Sequence, residues 1–184
     1  DSQTPSWKFA QAVKSYIEKL DEDGETQIPL RRVEIKKFRN GEIKIQIPQN
    51  IRNRNVYFVQ DSNQSPQDWW VELLLIKDLL LSSSAGKVTF VLPDMYYSRQ
   101  DRKDRPRVPI SARALARSIS PNLERIITMD LHADQIQGMY PEEVPVDNLY
   151  SFPVAVRHLI QNHPECLDGL VVVSPDAGSS NRVR

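Results

Sequence analysis

Arg99-Gln-Asp-Arg-Lys-Asp-Arg-Pro-Arg-Val-Pro-Ile-Ser111 holds the densest chemistry in the chain. Five of its first nine residues are basic and two are acidic, a net of +3. It follows Val88-Thr-Phe-Val-Leu-Pro93, an apolar run that reads as a buried strand, and precedes Ser111-Ala-Arg-Ala-Leu-Ala-Arg117, which reads as a capped helix. A basic, proline-punctuated loop leaving a strand end lies where α/β folds bind anions. The plain alternative is a solvated surface loop.

Two further groups carry donors of the right kind. Asp130-Leu-His132-Ala-Asp-Gln-Ile-Gln-Gly138 begins where another apolar strand, Arg125-Ile-Ile-Thr-Met-Asp130, ends. Its histidine could bind metal, relay a proton, or only hydrogen-bond to backbone. Ser174-Pro-Asp176-Ala-Gly178-Ser-Ser-Asn-Arg182 follows the apolar run Leu170-Val-Val-Val-Ser174. Asp176 offers a hard oxygen to a divalent cation, and Gly178 lets backbone N–H groups turn toward a ligand. On one sheet edge, His132 and Asp176 would form a metal pair. His158 and His163 are assigned no role.

Polyphosphate chemistry suits these groups. A nucleoside triphosphate packs several negative charges into a small volume. One exposed ion pair contributes about 1 kcal/mol or less, but several cations closing over one phosphate chain act together where water is scarce. Arg supplies forked hydrogen bonds and Lys a compact charge. Asp101 and Asp104 would hold the basic side chains apart. A mobile loop of this kind could close over a nucleotide and exclude water.

The elements that must position these groups read as follows. Thr4 caps a helix with Pro5 at its first position, and Phe9, Ala10, Val13, Ile17 and Leu20 recur at helical spacing. Glu42–Ile47 alternates with period two, and Asn55–Gln60 is a second strand. The pattern predicts a helix over 67–81, then the strand at 88–93, the basic loop, the helix after Ser111, the strand at 125–130, a helix over 152–161 and a strand over 170–174. Strands alternating with helices predict an α/β fold with a mainly parallel sheet flanked by helices. The right-handed crossover rule places successive strand ends on one edge. The three groups are therefore expected to converge.

Composition narrows the classes. With 184 residues, one compact domain is the default. Net charge is zero, against the basic excess of a generic nucleic-acid binder, so nucleic acid is not an expected partner. The single cysteine, Cys166, allows no internal disulfide and points to a reducing compartment, hence a cytoplasmic location. No apolar run approaches membrane-spanning length, and no membrane partner is expected. The start at Asp1 without methionine and the stop at Asn181-Arg-Val-Arg184 suggest an excerpt of a longer protein, truncated at both ends.

Six blocks together resemble the ribose-phosphate pyrophosphokinase (phosphoribosyl pyrophosphate synthetase) family. They are Arg99-Gln-Asp-Arg-Lys-Asp-Arg105, Arg107-Val-Pro-Ile-Ser111, Met129-Asp-Leu-His-Ala133, Gln135-Ile-Gln-Gly138, Pro145-Val-Asp-Asn-Leu149 and Val172-Val-Ser-Pro-Asp-Ala-Gly178. They occur in the family's order and spacing, and the resemblance runs from about Val33 to Arg184. It implies a phosphoribosyltransferase-like N-terminal ATP-binding domain, with the family's second, similar domain absent from this chain. It implies transfer of the diphosphoryl group of ATP to ribose 5-phosphate with Mg2+, and homo-oligomers built from dimers, as far as hexamers. By the same resemblance Phe38 stacks on adenine, and Asn40 and Glu42 bond its polar edge from across a subunit boundary. Arg99 and Gln100 contact the nucleotide, while Asp101, Lys103 and Asp104 belong to the mobile loop over the phosphates. His132 and Asp176 match the magnesium positions, with His132 acting through a water or on phosphate, since magnesium prefers oxygen. Arg52, Gln137, Asp147 and Asn148 fall near the family's regulatory phosphate and ADP site, although Asp147 and Asn148 also read as a turn before Leu149.

There are departures. The family's sugar-phosphate loop, two acidic residues followed by Thr-Gly-Gly, does not occur in these 184 residues, so no catalytic residue is assigned and the fragment alone is expected to be inactive. Ser179 stands where glycine is usual, and Trp69-Trp70 replaces smaller or aliphatic residues. These departures motivate the alternative of a catalytically silent relative that associates with synthetase subunits and regulates them.

Overall fold

The computed structural model describes residues 4–173. The chain partitions into two compact units, Asp1–Leu149 and Tyr150–Arg184.

In the first unit, helix α1 (Pro5–Leu20) starts as its sequence dictates: Thr4 Oγ1 accepts from the Trp7 N–H at 3.4 Å, with Pro5 in the first turn. Its apolar stripe is not buried, for Phe9, Val13 and Ile17 are each about 40% exposed. A hairpin follows, β1 (Glu34–Lys37) antiparallel to β2 (Ile43–Gln46), with Ile35 opposite Ile45. Its turn is closed by the Phe38 N–H on the Glu42 carbonyl at 2.7 Å and needs a positive φ of 92°, which Gly41 supplies.

The main sheet is wholly parallel, in the order β3 (Val56–Val59), β4 (Val88–Leu92), β5 (Arg125–Met129), β6 (Val146–Leu149). Phe58, Phe90, Ile126 and Val146 lie in one row across it. Strand β4 is buried on both faces, as an inner strand of a covered parallel sheet should be. Helix α2 (Pro66–Ser82) buries Trp69, Leu73, Ile76 and Leu80, and α3 (Ser111–Ile119) buries Ala112, Leu115, Ala116 and Ile119, each at helical spacing. The two helices are tied by Trp70 Nε1 to Ser118 Oγ (2.8 Å) and Lys77 Nζ to the Ser118 carbonyl (2.7 Å).

The second unit holds helix α4 (Phe152–Asn162) and a short 3-10 turn (Pro164–Cys166), neither with a buried residue. No helix among the described residues is long and apolar enough to cross a membrane.

Several expectations are corrected. Leu170–Val173 forms no strand; its valines are exposed, and an apolar run becomes a strand only where a neighbour accepts its ladder. Asp147 and Asn148 are not a turn: both lie within β6, paired with Ile127 and Thr128. Ser111 does not cap α3. Ile110 holds that position without a side-chain bond, and the Ser111 hydroxyl instead donates to Gln100 Oε1.

Candidate functional site

Because β4 and β5 are parallel neighbours, their carboxyl ends open on one edge of the sheet. Two of the three expected groups meet there. The basic loop is stapled at its base: the Gln100 carbonyl accepts from the Ala112 N–H at 3.2 Å, and its side chain accepts from Ser111. One residue on, Asp101 Oδ2 accepts from Gln135 Nε2 at 2.8 Å, across 34 residues of chain. Beyond that, Arg102, Lys103, Asp104, Arg105 and Arg107 are exposed, as is Arg99. Among the described residues the loop's sole ion pair is the long Arg105–Asp104 contact of 3.9 Å. Its positive charge is thus largely unmet by carboxylates among the described residues.

The exit from β5 is shaped by β6. The Asp130 N–H donates to the Leu149 carbonyl at 2.9 Å, and the Leu131 N–H to Asn148 Oδ1 at 3.1 Å. Asp130 adopts a positive φ of 49°, a conformation that Asp tolerates better than most residues. This turn buries Leu131 and leaves His132 exposed. A 3-10 helix then runs over Asp134–Met139. Asn148 Nδ2 donates to Asp134 Oδ1, and Gln137 Nε2 to the Asp134 carbonyl, both at 3.1 Å.

Asp176, the other expected metal ligand, lies outside the described residues, as do Gly178 and Ser179. Among the described residues no group of three His, Cys, Asp or Glu is placed to hold a metal ion.

Phe38, Arg39, Asn40 and Glu42 line an open depression on the hairpin turn, with Phe38 54% exposed. Asn40 Oδ1 accepts from the Glu42 N–H at 3.1 Å. Among the described residues, no hydrogen bond or ion pair joins this turn to the basic loop. Of the four candidate regulatory residues, Gln137 and Asn148 meet through Asp134. Asp147 instead forms a two-oxygen ion pair with Arg125 Nη1 at 2.7 and 2.8 Å. Arg52 is exposed, and its N–H donates to Asn50 Oδ1.

Within the motif Gln135-Ile-Gln-Gly138 nothing in the sequence marks Gln135 as a site residue. Its signal is legible only once the 3-10 helix lies beside the basic loop. The Trp69-Trp70 departure packs against the segment that leads into the basic loop. Trp69 is fully buried and meets the Tyr96 ring edge-on at 5.6 Å, while Trp70 packs on Tyr97.

The parallel sheet, its covering helices and the basic loop at its carboxyl edge define an α/β domain of the phosphoribosyltransferase-like kind. Residues 2–121 match the family model for the N-terminal domain of ribose phosphate pyrophosphokinase. The ribose-phosphate pyrophosphokinase of Rhizobium meliloti (strain 1021) is 40% identical over 177 residues, which cover 96% of this chain and 53% of that protein. That of Helicobacter pylori (strain ATCC 700392 / 26695) is 45% identical over 157 residues, covering 85% and 48%. The crystal structure of phosphoribosylpyrophosphate synthetase from Mycobacterium smegmatis matches with a TM-score of 0.80 at 30% identity, covering 96% of this chain and 55% of that one. The chain belongs to the ribose-phosphate pyrophosphokinase family, as its N-terminal part, and spans about half the length of the curated relatives it matches.

Proposed function

We propose that the protein containing this chain transfers the diphosphoryl group of ATP to the 1-hydroxyl of ribose 5-phosphate. The hydroxyl oxygen attacks the β-phosphorus in line. The bond from that phosphorus to the bridging α,β oxygen breaks, AMP leaves with the bridging oxygen, and the hydroxyl proton is lost. The observation that carries this reading is the stapled loop of net charge +3 beside the His132 turn on one sheet edge. Arg99, Gln100 and the Lys103 region hold the triphosphate and meet the charge that grows on the leaving group. Fixing the phosphates provides much of the rate. Mg2+, when bound, would offset phosphate charge and polarise the β-phosphoryl group. His132, through a water, and Asp176 would hold it. The exposed His132 suits an ion that keeps most of its waters and takes phosphate oxygens.

Phe38, Asn40 and Glu42 serve adenine in a neighbouring subunit of a homo-oligomer, which fits a turn with no hydrogen bond to its own basic loop. Arg52, Gln137, Asp147 and Asn148 serve a regulatory phosphate or ADP. The catalytic sugar-phosphate loop is supplied from outside this chain, so the 184-residue fragment binds nucleotide without turnover.

The test is an assay of the full-length protein with ATP, ribose 5-phosphate, magnesium and phosphate, following AMP and phosphoribosyl pyrophosphate together. Equimolar formation of the two is expected. No turnover, or release of ADP instead, would overturn the proposal.

A further inference from the structure

The basic loop and the His132 turn leave different strands, and their spacing must be set by something. The staple from Gln100 to Ser111 and Ala112 joins the two ends of the loop but does not fix its tilt. A loop pinned only there could pivot as a flap about the start of α3. Among the described residues, the Gln135–Asp101 bond is the single hydrogen bond or ion pair from residues 101–108 to another element. Its donor sits on the 3-10 helix, which Asp134 anchors to Asn148 of β6. Asn148 in turn holds the Leu131 N–H, one residue before His132. A continuous path therefore runs from the loop, along the 3-10 helix, to the turn that presents His132.

We propose that the 3-10 helix Asp134–Met139 is a strut and Gln135 its positioning residue. Its amide holds Asp101 so that the basic loop stands at a fixed distance and tilt from His132. The inference rests on the nucleotide reading of that loop for its purpose, though not for its geometry. An amide donating to a carboxylate is a charge-assisted bond, stronger than a neutral pair. A glutamate in place of Gln135 turns this attraction into repulsion at neutral pH.

Limited trypsin digestion of the full-length protein, with cleavage sites resolved by mass, reads the loop directly at Arg102, Lys103 and Arg107. Gln135→Glu is expected to raise loop cleavage about tenfold or more, the scale of one lost hydrogen bond to a charged group. Asp101→Asn alone, whose Oδ1 still accepts but carries no charge, is expected to cleave about threefold faster than the wild type, between it and Gln135→Glu. The double variant Gln135→Glu/Asp101→Asn exchanges donor and acceptor and is expected to restore the wild-type rate. Gln135→Glu is also expected to raise KM for ATP by about fivefold with a smaller change in kcat. If Gln135→Glu unfolds the protein, Gln135→Ala removes the donor without adding charge and must still speed loop cleavage. Wild-type cleavage in the single Gln135 variants, or no recovery in the double, would overturn the strut. If cleavage follows the bond but ATP neither protects the loop nor shows a changed KM, the strut stands and the nucleotide reading of the loop fails.

Discussion

Glu72 sits half-buried on α2, and both Gln60 and Gln64 donate their amides to one of its carboxylate oxygens, at 3.1 and 2.6 Å. Burial pushes its carboxyl above the usual glutamate range; the amides pull it back only in part, and Asp68 and Asp61 add to the rise. A raised acid binds its proton more tightly in the folded chain than in the unfolded one. Its contribution to stability is full below the ordinary value of 4.5 and is lost as pH rises through the folded value. Glu72→Gln should therefore gain stability relative to wild type as pH rises from about 4 to about 7. Urea unfolding across that interval measures it, and a parallel pair of curves would refute it. Asp61 behaves in the opposite sense. Burial alone would raise it, but N–H groups of Ser6 and Asn63, at 2.8 and 3.0 Å, more than compensate and hold it below the usual range. Its contribution is present near neutrality and is lost on acidification. None of this is legible in the sequence, because a carboxylate's environment is made by chain segments distant in sequence.

Helix α2 was almost fully readable: the expected span of 67–81 became Pro66–Ser82, with Ser65 accepting from the Asp68 N–H at 3.1 Å. The role of its first aromatic was not. Trp69 supports Tyr96, whose hydroxyl donates to the carbonyls of Ser62 and Gln64, so one side chain braces the loop after β3 and the segment entering the basic loop. Trp69→Ala should cost about 3–5 kcal/mol, the usual range for a buried Trp. Trp70→Phe, which forfeits the bond to Ser118 while keeping a ring, should cost about 1 kcal/mol. Chemical denaturation compares the two, and equal losses would contradict the packing. Strand β6 escaped the sequence reading because four residues containing Asp and Asn have poor strand propensity. Pairing with β5 and the Arg125–Asp147 ion pair make it a strand.

Every residue of the buried apolar core among those described lies between Trp69 and Val144. The first compact unit thus contains what a cooperative fold requires. A chain ending at Tyr150 should keep a single cooperative thermal transition, within about 4 °C of the longer chain, as followed by far-UV circular dichroism. Loss of that transition would show that residues beyond 150 complete the core. The apolar side chains still exposed on α1 and α4, including Phe9, Val13, Phe152 and Ile160, are surfaces that the described residues leave uncovered.

Local order was set by the chain alone: which stretches become helices and inner strands, that the sheet is parallel, and that a +3 loop follows β4. These follow from hydrophobic period, caps and proline, which act over a few residues. Contacts across 34 residues, such as Gln135 on Asp101, and those across 17, such as Leu131 on Asn148, came from the fold. No local pattern encodes them, because they exist only when parallel strands bring their carboxyl ends to one edge and a short helix bridges the gap.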